Sequence, residues 1–226
     1  MEQVVSNCFS YYEILTIHQR GKSSFKKIED TKTTQKYQDQ NFSVFWEMIY
    51  NKVKDHLPSK KFKIKGGYLN NTTKPYLIHS DGARNSSEDF LCNLLIPLEV
   101  KFYDSKLYDD DQHKFYVFDQ TTDFATTFRL GKEEARKQEY YRLATSVDDY
   151  KSMIKEFTYS EFDDKFVIDN CNHISKQEFF GLSIKKILDW KIRDCIIFHP
   201  HSLHASSNFI RLGISDKTNI TYSLYK

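Results

Sequence analysis

The stretch Lys74-Pro75-Tyr76-Leu77-Ile78-His79-Ser80-Asp81-Gly82 decides how this chain is read. Pro75 to Ile78 form a strand-like lead-in, and Gly82 lets the chain turn directly afterwards. In an extended strand, residues i and i+2 point to the same side. His79 and Asp81 therefore aim an imidazole and a carboxylate at one spot. A strand-to-turn boundary at the mouth of a barrel is where such a ligand pair is expected. A His-x-Asp triplet by itself is more often a surface pair, so the partners matter.

Those partners lie far downstream. A second histidine would complete a face of two imidazoles and one carboxylate, which leaves coordination positions open and suits non-heme Fe(II). His199, His201 and His204 are the candidates. Spacing does not choose among them. His199 and His201 flank Pro200 and read as hydrogen-bonded or solvent-facing. His204 lies past a strand, in the polar stretch Ala205-Ser206-Ser207-Asn208.

The 226 residues are enough for one large domain or two small ones, and no convincing linker divides them, so a single domain is expected. Residues 1–60 read as an N-terminal helical or irregular segment. Residues 61–226 read as a β core with a helical insertion at about 131–190. Aromatic residues make up 15% of the chain, so Tyr and Phe carry much of the core. The net charge of +2, with both signs interspersed, gives no electrostatic case for nucleic acid. Lys22 to Lys27 and Lys60 to Lys65 read as a solvated loop and strand face. No apolar stretch approaches the ~20 residues that span a bilayer, and the N-terminus carries no signal pattern. None of the four cysteines has C-x-x-C spacing, and Cys92 and Cys195 read as buried free thiols. A reducing cytoplasm is the expected location.

Along the chain, Phe9 to Gln19 reads as a strand or short helix and Ser23 to Gln38 as a polar loop. Asn41 to Leu57 has helical periodicity, ended by Pro58. Phe62 to Tyr68 reads as a strand, with Gly66-Gly67 a bulge or close approach. Lys74 to Asp81, Leu91 to Val100 and Lys114 to Gln120 follow as strands, and Pro97 favours an edge or bulge. Asp123 to Leu130 reads as a strand, and Lys132 to Leu143 and Val147 to Phe157 as helices. Phe166 to Ile168 reads as a short strand, and Ser175 to Trp190 as one or two short helices. Lys191 to His199 and Lys217 to Tyr225 are the last strands. Regular β-α alternation is absent, so the expected fold is mainly β with flanking helices: an antiparallel double-stranded β-helix, the cupin-like jelly roll.

At this point the motifs resemble a known family. Pro75 to Gly82 resembles the proximal metal motif of Fe(II)/2-oxoglutarate-dependent dioxygenases. Leu94 to Leu98 and Tyr116 to Gln120 resemble the core strands that follow it. Ile187 to Phe198 resembles the strand before the distal histidine, with Arg193-Asp194 where the family usually has Gly-Asp. Leu203-His204-Ala205-Ser206 is similar to the distal motif, and this selects His204. The resemblance is to phytanoyl-CoA-dioxygenase-like members and runs from about Tyr68 to Tyr225.

The resemblance implies iron held by His79, Asp81 and His204, with 2-oxoglutarate and dioxygen as cosubstrates and a small molecule as substrate. Halogenases of the group lack the carboxylate, so Asp81 implies hydroxylation; desaturation and ring formation share the same oxidant. The family usually pairs the distal carboxylate of 2-oxoglutarate with an arginine at the start of the last strand. Here Lys217 stands at that place and Arg211 comes earlier. Parity favours Lys217: with Asn219, Thr221 and Ser223 it forms a polar face opposite Ile220, Tyr222 and Leu224. Lysine meets a carboxylate as a point charge, not as a fork. Tyr68 is a further candidate, as a hydroxyl donor to the cosubstrate, against the commoner role of a packed aromatic. Two other readings are a non-catalytic jelly-roll binding protein and a cupin metalloenzyme that does not use 2-oxoglutarate. A basic residue in the lumen separates the last of these from the dioxygenase.

Overall fold

Side-chain alternation along the last strand, β10 (Ile214–Tyr225), sets the layers of the molecule. Ile220, Tyr222 and Leu224 are fully buried on one face. Lys217, Asn219 and Thr221 line a cavity on the other. The structure, a computed structural model, describes residues 1–40, 43–81, 89–103, 113–120, 164–174, 179 and 182–226.

Two antiparallel sheets face each other. In chain order the strands are β1 (Gln3–Val5), β2 (Lys26–Asp30), β3 (Thr34–Gln38), β4 (Lys63–Thr72), β5 (Phe90–Phe102), β6 (Lys114–Gln120), β7 (Leu182–Asp189), β8 (Cys195–Phe198), β9 (Leu203–Ser206) and β10. The large sheet runs β1-β8-β5-β10-β4-β3-β2 and the small one β7-β6-β9. This is the expected jelly roll.

Each strand splits its residues between layers. Leu94, Ile96, Ile197 and the apolar face of β10 pack under two helices, α1 (Tyr11–Ser24) and α2 (Ser43–Val53), through Ile14, Ile17, Phe45, Ile49 and Val53. Between the sheets lie Leu95, Ile196, Phe198, Phe115, Val117, Leu188 and Trp190. On the far side of the small sheet, Tyr116, Phe118, Leu203 and Ala205 pack against Val167 of a short helix, α3 (Asp164–Asn170). Each fully buried Leu, Ile or Phe contributes roughly 1.5–3 kcal/mol, so register is held from both faces of each sheet. Helix α1 starts with a capping box: Ser10 accepts from the Glu13 N–H and Glu13 accepts from the Ser10 N–H.

Several expectations need correction. Residues 23–38 are not a loop: α1 runs through Ser24, and β2 and β3 form a hairpin that widens the large sheet past β4. Lys74 to Asp81 is not a strand; it contributes one isolated bridge, His79 to His204. Phe166 to Ile168 lies in helix α3, and residues 182–189 form strand β7 inside the insertion expected to be helical. His204 does not lie in a polar stretch beyond the sheet: β9 is a buried strand. Pro97 is not on an edge strand, since β5 lies between β8 and β10. The β8 pairing covers only Asn93–Leu95, however, and the register against β10 shifts beside Pro97, so the bulge is present and no N–H is missed. Within Phe9 to Gln19, everything from Tyr11 onward is helix α1, with Ser10 as its N-cap. Gly67 is a close approach: a Cβ there would sit 2.5 Å from Tyr222 Cε1. Cys92 and Cys195 are buried free thiols, as expected. The elements expected over 123–130, 132–143 and 147–157 lie outside the described residues. Among the described residues, no helix is long and apolar enough to cross a membrane.

Candidate metal centre and anion pocket

His79 and His204 meet because their backbones pair. The His79 N–H donates to the His204 carbonyl at 3.1 Å, and the His204 N–H donates back at 2.9 Å. The imidazole centroids lie 4.3 Å apart. Asp81 is brought in by its own N–H, which donates to the Pro200 carbonyl at 2.9 Å. One donor atom from each of His79, Asp81 and His204 lies within 4.8 Å of the others. His79 Nε2 is 3.6 Å from Asp81 Oδ1, and His204 Nε2 is 3.8 Å from Asp81 Oδ2.

The same local device orients both rings. His79 Nδ1 lies 2.8 Å from the Leu77 carbonyl, and His204 Nδ1 lies 2.9 Å from the Ser202 carbonyl. A carbonyl only accepts, so each Nδ1 carries a proton and each Nε2 is the ring atom left to face the other donors. Burial, and then His79, hold His204 down to about 4, so its ring is neutral. Phe115 stacks on it at 5.1 Å and Phe198 meets it edge-on at 4.8 Å. Asn93 donates to Asp81 Oδ2 at 2.7 Å. This is the donor set and outer support that a divalent transition metal takes.

The cavity beside these donors has a volume of about 370 Å³. Its walls include Leu95, Phe115, Trp190 and Phe198, together with Ser206, Lys217, Asn219, Thr221, Tyr76 and the three donors. Lys217 is only 4% exposed, and among the described residues no carboxylate pairs with it. Its ammonium sits 5.1 Å from the Trp190 ring centre and 4.9 Å from that of Phe209. Among the described residues its ammonium hydrogen-bonds to His113 Nε2, at 3.2 Å. Burial pulls Lys217 down to about 7 and, with Lys217 beside it, pushes His113 well below its usual range. Ser206 Oγ is buried and has no hydrogen-bond partner among the described residues.

The other sequence candidates are not brought into the cavity. Arg211 is exposed on the turn before β10, and its N–H donates to the Asn208 carbonyl. Tyr68 is a half-buried platform under the Lys36 ammonium, 4.3 Å from its ring centre. Lys36 itself lines the cavity, with Glu29 and Thr34 of the hairpin. Four further residues of the site were not anticipated: Asn93, His113, Trp190 and Phe209. Asn93 did carry a signal, as the one polar residue within Leu91 to Leu98.

No family model matches the sequence, and no curated protein matches it. Solved structures do. HygX from Streptomyces hygroscopicus, with nickel and 2-oxoglutarate bound, is 10% identical over 99% of this chain and 82% of its own, with a TM-score of 0.52. An oxidoreductase of the 2OG-Fe(II) oxygenase family from Burkholderia pseudomallei is 10% identical over 99% of this chain and 84% of its own, at 0.51. The non-heme alpha ketoglutarate dependent epimerase SnoN from nogalamycin biosynthesis is 7% identical over 100% of this chain and 78% of its own, at 0.50. At these identities the likeness is one of fold.

Proposed function

We infer that the chain is an Fe(II)- and 2-oxoglutarate-dependent oxygenase, of the phytanoyl-CoA-dioxygenase-like kind its motifs resemble, which hydroxylates an unactivated C–H of a small molecule. The observation that carries this reading is one cavity with two complementary ends. One end gathers two imidazoles and a carboxylate. The other holds a buried ammonium with no carboxylate partner among the described residues. A dicarboxylate keto acid fits both, chelating a metal at one end and meeting Lys217 at the other. The nickel and 2-oxoglutarate in the HygX structure support it on the same fold. The lumenal lysine favours this reading over a cupin that does not use 2-oxoglutarate.

Iron and 2-oxoglutarate, when bound, supply the oxidation of the substrate by dioxygen with release of succinate and carbon dioxide. His79, Asp81 and His204 would hold the metal on one side and leave the other open. The Leu77 and Ser202 carbonyls keep both Nε2 atoms facing the donor site. Asn93 fixes one oxygen of Asp81. Lys217 neutralises the far carboxylate in a wall of low polarity, where the attraction is stronger than in water. Phe115, Phe198, Trp190 and Leu95 keep water from the reacting centre.

Anaerobic addition of Fe(II) and 2-oxoglutarate tests this. A weak visible charge-transfer band, with slow succinate formation on admitting air, is expected. Absence of both rules the oxygenase reading out.

A further inference from the structure

A lysine differs from the arginine it replaces in having no fixed direction: its three N–H bonds rotate freely about the Cε–Nζ axis. The structure removes that freedom. His113 Nδ1 faces Ser207 Oγ at 2.9 Å, and the same oxygen accepts the Lys114 N–H at 3.0 Å. An ammonium only donates, so His113 Nε2 must accept from Lys217, which leaves the ring proton on Nδ1 to be donated to Ser207 Oγ. The Lys217 to Nε2 contact measures 3.2 Å. Trp190 and Phe209 ring faces flank the ammonium and offer no competing acceptor. His113 is 3% exposed and Ser207 is 3% exposed. This chain of contacts therefore spends one N–H of the ammonium on a fixed partner and leaves two for the cavity, the number a guanidinium fork would present.

Ser207 directly follows β9, the strand that carries His204. Through Ser207 and His113, the position of the ammonium is thus tied to the strand that carries one of the metal donors.

We propose that His113 is a positioning residue that turns Lys217 into a directed two-donor anchor and sets its separation from the metal donors, so that the site selects the chain length of the keto diacid it binds. The proposal rests on the oxygenase reading above. It concerns a residue outside the metal set and a property, length selection, that the reading does not require.

The test is direct binding of 2-oxoglutarate and of 2-oxoadipate, one methylene longer, to the nickel-loaded full-length protein by calorimetry. Nickel affinity and the melting temperature are measured alongside. Wild type is expected to bind 2-oxoglutarate at least about tenfold more tightly than 2-oxoadipate. In His113→Leu, 2-oxoglutarate affinity falls by about ten- to a hundredfold, the loss expected when a hydrogen bond to a charged group is removed. The preference between the two acids shrinks, and nickel affinity is unchanged. His113→Gln, which keeps an acceptor, recovers most of the loss. Ser207→Ala is the milder variant should His113→Leu not fold, and it shifts the same ratio in the same direction. If wild type does not bind 2-oxoglutarate, the oxygenase reading falls and this proposal with it. If wild type binds it and the variants keep the same affinity and the same preference, the role of His113 alone is overturned.

Discussion

His79 and His204 exchange both of their backbone hydrogen bonds, at 3.1 and 2.9 Å, across an isolated antiparallel bridge. Two candidate ligands separated by most of the chain are thereby placed by main-chain bonding, before any ion contributes. Side-chain changes at either residue should therefore remove donors without disturbing the bridge.

His204→Ala and Asp81→Ala each take one donor from a three-donor face. Succinate formation should fall below detection in both, while circular dichroism and the melting temperature change little. Turnover that survives in either variant would move the metal elsewhere.

Asn93→Ala leaves all three donors in place and frees the Asp81 carboxylate from its 2.7 Å hydrogen bond. Loss of such outer support typically costs about 10- to 100-fold in metal affinity. Competition with a chelator should show that loss, with no change in the number of ions bound.

Lys217→Met should have two opposite effects. It abolishes 2-oxoglutarate binding, and it stabilises the protein at neutral pH, because the wild type buries an ammonium with no carboxylate partner among the described residues. The folded value of about 7 lies below the unfolded lysine value of 10.5. Between those two pH values the unfolded chain holds more protons, so this group makes wild-type stability rise with pH across that window. The advantage of Lys217→Met is on the order of a few kcal/mol at pH 6–7 and shrinks toward pH 10. Urea melts at several pH values measure it. The same titration weakens cosubstrate binding as pH rises: above about 7 the free protein loses the charge that the carboxylate needs, so affinity falls by about tenfold per pH unit. A pH-independent affinity from about pH 6.5 to 8.5 would contradict this.

Gly67→Ala places a methyl group 2.5 Å from Tyr222 Cε1 and 3.2 Å from Asp39 Cβ. Tyr222 is fully buried and donates its hydroxyl to Asp39 Oδ2 at 3.0 Å, so it has nowhere to retreat. Overpacking of this kind costs about 1–3 kcal/mol, and thermal melts should show it while the metal affinity stays unchanged.

What could be read ahead of the fold was whatever announced itself on two faces at once. Strand β10 did, because its inner residues are polar and its outer ones apolar, so parity pointed to Lys217. The hairpin did not: every residue of β2 is exposed, and nothing in Lys26–Asp30 alternates. It is a strand only because β3 pairs with it. Leu182, Ile184, Ile187 and Leu188 are spaced three and four apart as well as by two, so β7 fits either period, and pairing with β6 decides it. Phe166-Val167-Ile168 has strand-like composition, yet it is helical and puts Val167 under Tyr116 and Leu203. In the site, the convergence of His79, Asp81 and His204 was legible from motif and order. His113 was not, because its meaning depends on Ser207 and Lys217, each about a hundred residues away.

Strand β9 carries a consequence for how the molecule assembles. Its four residues alternate Leu203 and Ala205 toward the α3 layer with His204 and Ser206 toward the cavity. A slip by one residue against β6 would put aliphatic carbon beside His79 and Asp81 in place of an imidazole, and an imidazole into an apolar layer. The ordering of the α3 side and the competence of the centre are therefore a single cooperative event. Loading with metal should slow hydrogen exchange in β9 and α3 together, on the face of the sheet that the ion never touches.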